Sequence, residues 1–220
     1  MSDSSIRPDG VIFDMDGLML DTERLGQRTW QEAARHAGHE IDAGLFLRIV
    51  GRNRTDSAAL MREVLGPGFD FDRVYLDSFT RFDDHIVRHG VPLKPGIVEL
   101  LGELSAREIP LGVATSTRNA RARQHLEHAG LMRYFSVLVG GDEVALGKPA
   151  PDIYLEAAHR LGIDPKRSLA LEDSHPGVRA AHAAGFRVIM VPDLLQPTAE
   201  IAALATHIAA SLHEARAFLL

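Results

Sequence analysis

The stretch Val11-Ile12-Phe13-Asp14-Met15-Asp16-Gly17-Leu18-Met19-Leu20-Asp21-Thr22-Glu23 decides how the rest of the chain is read. A short apolar run ends abruptly in two carboxylates one residue apart, and Gly17 marks where the run must stop. The pattern predicts a buried strand with Asp14 and Asp16 at its C-terminal end. In open α/β sheets that edge is where ligands bind. Two like charges buried side by side are costly unless a cation or a cationic group joins them. A hard cation with oxygen ligands, Mg²⁺ above all, meets that demand. Taken alone, Asp-x-Asp-Gly is also an ordinary turn composition. Later strand ends decide between the two.

From Lys94 onward, short apolar runs alternate with amphipathic stretches. Strands are predicted at Leu111–Ala114, Ser136–Val139, Leu169–Leu171 and Val188–Val191, with a weaker one at His207–Ala209. Helices are predicted at Ile97–Arg107, Asn119–Ala129, Pro151–Leu161 and Gly177–Ala184. This alternation implies right-handed βαβ units and a parallel sheet. Between Thr22 and about Val91 the pattern is helical throughout, at Thr22–Ala37, Ala43–Ile49, Asp56–Leu65 and Phe71–Arg88, with Asp42 and Asp70 as N-caps. The expected fold is therefore α/β, a doubly wound, Rossmann-like parallel sheet formed by residues 1–21 and 93–220, with an α-helical cap inserted at residues 22–92. Leu20–Thr22 and Pro92 with Pro95-Gly96 form the two hinges, and the insert is placed to close over the carboxylates as a lid.

Composition narrows the function classes. With 220 residues, 45% hydrophobic and 25% charged, the chain has the profile of a globular protein. A net charge of −6 argues against a nucleic-acid partner. The chain has no cysteine, which excludes disulfides, thiol catalysis and Cys-ligated zinc. No segment has the uninterrupted apolar length of a membrane span, and Met1–Pro8 has no signal-peptide core. A cytoplasmic monomer without nucleic-acid or membrane partners is expected.

Three further segments carry chemistry. Thr115-Ser116-Thr117 follows a strand and offers hydroxyls and backbone N–H groups to an anion, although by itself it reads as the N-cap of the helix starting near Arg118. Gly147-Lys148-Pro149 is no P-loop, because Asp142 stands where the first glycine belongs and Pro149 replaces the Ser or Thr. Lys148 is then either a point charge for phosphate oxygens or an ordinary solvated lysine. Glu172-Asp173-Ser174 closes the next strand with a second acidic pair. Four carboxylates on one sheet edge call for a metal. The His85/His89 and His125/His128 pairs have one-face helical spacing but no third ligand, and read as surface histidines. Trp30 and the Phe and Leu positions of the insert read as its core.

Taken in order, Asp14-x-Asp16-Gly, Asp21-Thr22-Glu23, Thr115, Gly147-Lys148-Pro149-Ala-Pro-Asp and Glu172-Asp173-Ser174 resemble the haloacid dehalogenase superfamily, in its helical-cap phosphatase and β-phosphoglucomutase-like branch. That resemblance implies Mg²⁺-dependent phosphoryl transfer from a small phosphorylated metabolite. It assigns Asp14 as nucleophile and Asp16 as general acid and base. It implies Mg²⁺ on the Asp14 carboxylate, the Asp16 carbonyl and Asp173 with Glu172 nearby, and phosphoryl oxygens on Thr115, the Ser116 N–H and Lys148. Asp16 separates the chain from the dehalogenases themselves, whose halide leaving group needs no proton. Arg54 matches the cap arginine of the β-phosphoglucomutases for a substrate phosphate, with Arg52 and Asn53 on the same turn. Gly26 stands where those mutases carry a cap histidine. The expected function is hydrolysis of a phosphate monoester, a sugar phosphate first, through an aspartyl-phosphate. A phosphosugar mutase is the alternative, and a non-catalytic binding protein on the same fold is a further one.

Overall fold

The computed structural model describes residues 7–50 and 54–219. In chain order, β1 (Val11–Phe13) leads into four helices, α1 (Thr22–His36), α2 (Ala43–Leu47), α3 (Arg54–Leu65) and α4 (Phe71–His89). There follow α5 (Ile97–Ala106), β2 (Leu111–Ala114), α6 (Asn119–His128), β3 (Val137–Val139) and α7 (Asp152–Leu161). The chain ends with β4 (Leu169–Glu172), α8 (His175–Ala183), β5 (Arg187–Met190), α9 (Ala199–Leu204), β6 (His207–Ile208) and α10 (Leu212–Leu219). These elements form two compact units. One holds the residues before Thr22 and after Val91, and the other is Thr22–Val91.

The first unit is a six-stranded sheet of order β3-β2-β1-β4-β5-β6, every neighbouring pair parallel. The doubly wound α/β expectation is met. Val11, Ile12 and Phe13 are fully buried, as a central strand with helices on both faces requires. From β1 the chain goes to β2 on one side and reaches β4 on the other, so the end of β1 is the switch point of the sheet. The register is in step. Phe13 pairs with Val113 in β2 and with Leu171 in β4. The residues that follow, Asp14, Ala114-Thr115 and Glu172-Asp173, therefore leave the sheet at one edge. Ile12, Ala114, Val139, Tyr154, Ala170, Val178 and Met190 belong to one buried core cluster on this sheet.

Where the chain leaves this unit and returns, its two segments are tied together. Asp21 N–H donates to the Pro92 carbonyl at 2.8 Å and Lys94 N–H to that of Met19 at 2.9 Å. Lys94 Nζ also meets the nearly buried Asp193 carboxylate at 2.6 Å.

The helical unit is built on the pairing of α1 with α4. Trp30 is buried with its ring 5.5 Å from that of Phe71 and 6.0 Å from that of Tyr75. Asp42 and Asp70 cap α2 and α4, accepting from Leu45 N–H at 2.7 Å and Arg73 N–H at 3.1 Å.

Several expected boundaries move. Helix α3 begins at Arg54 rather than Asp56, and α8 begins at His175 with Pro176 in its first turn, a place where proline's missing N–H costs nothing. Strand β5 sits one residue earlier than predicted, and β6 is only two residues long. Helices α9 and α10 are absent from the pattern read off the sequence.

Candidate active site

Asp14 extends β1 by one step, its N–H donating to the Leu171 carbonyl at 3.0 Å. The chain then turns sharply. Met19 and Leu20 N–H both reach the Met15 carbonyl, and Gly17 N–H reaches that of Leu20. Gly17 takes φ 82°, a left-handed conformation that suits glycine and costs other residues. This turn lifts Asp16 out of line with the strand. Its Oδ2 accepts from Thr117 Oγ1 at 2.7 Å and Thr115 Oγ1 at 3.4 Å.

Thr115 is buried and continues the β2–β3 ladder through its N–H to the Val139 carbonyl at 3.0 Å. Its hydroxyl oxygen accepts from Thr117 N–H at 3.1 Å, fixing the turn. Ser116 is exposed between the two threonines. Neither threonine hydroxyl caps α6. Asn119 N–H goes to Asp142 Oδ1 at 2.8 Å instead. The capping expected from this segment alone is thus replaced by hydrogen bonds to Asp16, the shorter of them from Thr117, for which the sequence pattern alone indicates only a cap or an anion contact.

Lys148 is no solvated lysine. Its ammonium donates to Asp14 Oδ1 at 2.6 Å, Glu172 Oε1 at 2.5 Å and the Ala114 carbonyl at 3.1 Å. Its side chain is only 5% exposed. All three of its protons are thereby used. Glu172 is fully buried, and its other oxygen accepts from Asp173 N–H, Ser174 N–H and Ser174 Oγ at 3.0–3.2 Å.

Asp14, Glu172 and Asp173, all buried, offer carboxylate oxygens that lie within 4.8 Å of one another. Fully ionised, three carboxylates against one ammonium would leave two negative charges in a desolvated place. Such an all-oxygen, doubly negative donor set matches a hard divalent cation. Among the described residues no other group of acidic or histidine side chains is arranged to hold a metal. The carboxylate of Asp16 stands outside this set.

Burial pushes the Asp14 carboxyl up from 3.8 to about 7; Lys148 opposes the rise, while Glu172 and Asp16 add to it. For Lys148, burial works against the charged form, but the charges of Asp14 and Glu172 outweigh it and hold the ammonium protonated.

In the helical unit, Arg54 pairs with Asp72 at 2.8 Å and lies 5.0 Å from the centre of the Tyr75 ring. With Glu23, Trp30, Ser57, Phe71 and Tyr75 it lines a cavity of about 190 Å³. Arg52 and Asn53 lie outside the described residues. Gly26 falls within α1, and a Cβ there would meet nothing within 4 Å. The histidine pairs form no metal site. His85 and His89 are 4.6 Å apart, but Arg28 Nη2 lies 3.0 Å from His85 Nδ1, where a cation would be repelled. His125, expected on the surface, is buried because α6 turns that face inward.

A family model for haloacid dehalogenase-like hydrolases matches residues 11–191. The chain is 34% identical over 185 residues to a phosphorylated carbohydrates phosphatase of Thermotoga maritima, covering 82% of this chain and 83% of that one. It is 33% identical over 189 residues to a bifunctional riboflavin kinase/FMN phosphatase of Arabidopsis thaliana, covering 86% of this chain but only 49% of that protein, so it spans about half of that relative's length. A crystal structure of a haloacid dehalogenase family hydrolase from Deinococcus radiodurans R1, with bound phosphate and sodium, superposes with a TM-score of 0.81 at 29% identity, covering 97% of this chain and 96% of that one. The chain belongs to the haloacid dehalogenase-like hydrolase family, in its phosphatase and phosphoglucomutase-like branch.

Proposed function

We propose that the protein is a Mg²⁺-dependent phosphatase that hydrolyses a small phosphate monoester, a sugar phosphate first among candidates, through a covalent aspartyl-phosphate. The observation that carries this reading is the separation of the two aspartates. Asp14 sits in the acidic cluster against Lys148, while Asp16 is held apart by Thr117. That arrangement supports Asp14 as the nucleophile and Asp16, whose carboxylate is not part of the cluster, as the group that moves protons.

Asp14 would attack phosphorus as the bond to the leaving oxygen breaks, and Asp16 would deliver the proton that oxygen needs. In the second half, Asp16 takes a proton from water as the water oxygen attacks the aspartyl-phosphate, releasing inorganic phosphate and restoring Asp14. Lys148 supplies fixed positive charge beside the reacting carboxylate, and the Ser116 N–H with Thr115 is assigned to the phosphoryl oxygens. Asp14, Asp173 and the Asp16 carbonyl, with Glu172 nearby, would hold the Mg²⁺, whose chemistry there would be neutralisation of phosphoryl charge.

Substrate selection is assigned to the helical unit, where Arg54 and Glu23 give a largely apolar cavity two charged groups. The phosphatase relative named for phosphorylated carbohydrates supports that substrate class. Gly26, in place of a cap histidine, favours hydrolysis over mutase turnover.

The test is hydrolysis of p-nitrophenyl phosphate with Mg²⁺ and with EDTA. Chelation and Asp14→Asn should each abolish turnover, with circular dichroism unchanged in the variant. Near-wild-type turnover by Asp14→Asn would end the nucleophile assignment.

A further inference from the structure

Tyr154 is a fully buried side chain in the first turn of α7, six residues after Lys148. A tyrosine in a core cluster with Ile153, Ala157 and Val178 is in one respect unremarkable. Its hydroxyl is not. It donates to Glu172 Oε1 at 2.8 Å, the same oxygen that accepts Lys148 Nζ at 2.5 Å. Its ring centre lies 5.2 Å from that ammonium, within range of a cation–π attraction, and its outer side packs on Phe186 at 5.8 Å. Burial, and then the charge of Glu172, push the phenol well above its ordinary 10, so it stays a neutral donor.

We infer that Tyr154 is a positioning residue for the phosphoryl-transfer reaction proposed above, acting through Glu172 to hold Lys148 against Asp14.

The bonds to Glu172 divide by origin. Oε2 is held from the β4–α8 turn, by Asp173 N–H, Ser174 N–H and Ser174 Oγ. Oε1 is held from the α7 side, by Lys148 and Tyr154. The carboxylate plane is thus fixed from two directions. Beneath it lies Gly177, where any Cβ would collide with both carboxylate oxygens, so glycine is what lets the carboxylate sit there. Without the Tyr154 hydroxyl, Oε1 has Lys148 as its one remaining side-chain donor among the described residues. The lysine would then follow Glu172 as that carboxylate rotates, lengthening its 2.6 Å contact with Asp14. A small error in that contact is costly, because Lys148 acts by placement rather than by transferring a proton. A residue that served only to fill the core would need the ring and not the oxygen.

The experiment compares the full-length chain, with Mg²⁺ and p-nitrophenyl phosphate, as wild type, Tyr154→Phe, Glu172→Gln and the double variant. Tyr154→Phe should lower kcat about tenfold, the scale of one hydrogen bond to a charged group. KM and the Mg²⁺ concentration for half-maximal rate should stay within twofold of wild type. In the Glu172→Gln background the same change should cost less than twofold, since the hydroxyl works through that carboxylate. A kcat for Tyr154→Phe within twofold of wild type would reduce Tyr154 to core packing. A full tenfold loss repeated in the Glu172→Gln background, or a raised Mg²⁺ requirement, would overturn the inference as well. In each of those cases an active wild type leaves the phosphatase reading standing. A wild type inert toward phosphate esters would refute that reading and this inference with it.

Discussion

Two ion pairs with nearly the same separation do different work in the two units. Lys148 meets Glu172 at 2.5 Å with side chains 5% and 0% exposed. Arg54 meets Asp72 at 2.8 Å with side chains 57% and 58% exposed. Distance alone would rank them together. Water separates them: a solvated pair nets about 0–1 kcal/mol, whereas breaking a buried pair strands a charge at a cost of about 3–5 kcal/mol. At Lys148 the α/β unit uses desolvation to hold charges in one geometry. At Arg54 the helical unit keeps a pair wet, adjustable and cheap to change. Rigid chemistry and variable selection are the roles these environments suit.

The largest effect should come from breaking the buried side of this comparison. Lys148→Met leaves Asp14 and Glu172 facing each other without a cation. Chemical denaturation without metal should show a loss of about 3–5 kcal/mol, and turnover should fall below detection even at saturating Mg²⁺. Retained turnover would mean that the cation alone supplies the positive charge the reaction needs.

Gly177→Ala should cost less but in the same place. The added methyl must displace the Glu172 carboxylate, an overpacking change worth about 1–3 kcal/mol. Shortening the partner tests the cause: Glu172→Asp in the same chain should recover part of the lost stability. No recovery would locate the damage in α8 itself.

A third effect is read in pH. The Asp14 carboxyl is raised from 3.8 to about 7, so between those values the native, metal-free chain holds a proton that the unfolded chain has released. The stability this group contributes is complete at low pH and is lost as pH rises through about 7. Cation binding needs the ionised form, so Mg²⁺ should bind about tenfold more weakly for each pH unit below that value. Thermal unfolding should show a larger Mg²⁺-induced rise in Tm at pH 8 than at pH 6. Equal rises would mean that binding the ion displaces no proton from Asp14.

The same contrast explains which parts of the molecule the sequence disclosed. Asp14, Asp16, Glu172 and Asp173 stand out because carboxylates directly behind apolar runs have no cheap structural reading, and the in-step register of β1, β2 and β4 brings those run ends together. Tyr154 is silent because its spacing in α7 is that of any buried helix residue. Its partner lies 18 positions along the chain, across a turn that no local pattern encodes. Thr117 was hidden by a competing local rule, since hydroxyls before a helix ordinarily cap it. Lys148 was ambiguous for a similar reason: lysine is so often solvated that only the fold reveals its burial. At the periphery, α9 and α10 span six and eight residues, too short for an amphipathic period to stand clear of its surroundings.

The smallest effect should come from the exposed side. Arg54→Ala removes a guanidinium that is more than half exposed and paired with an equally exposed Asp72, so folding stability should change by less than about 0.5 kcal/mol. Its effect on catalysis should depend on the substrate. Asp14, Asp16, Thr115, Lys148 and Asp173 are committed, in the proposed mechanism, to the transferring phosphoryl group and its cation, which leaves none to read the leaving group. If Arg54 reads it from the helical unit's cavity, kcat/KM for a polyhydroxylated phosphate ester should fall about tenfold, the low end for a charge-assisted contact because water shares the site. For p-nitrophenyl phosphate, whose leaving group offers that cavity no hydroxyl and no net charge, the change should stay within twofold. Equal losses on both esters would make Arg54 a structural partner of Asp72 and Tyr75, and would move substrate selection away from the wet charges of the helical unit.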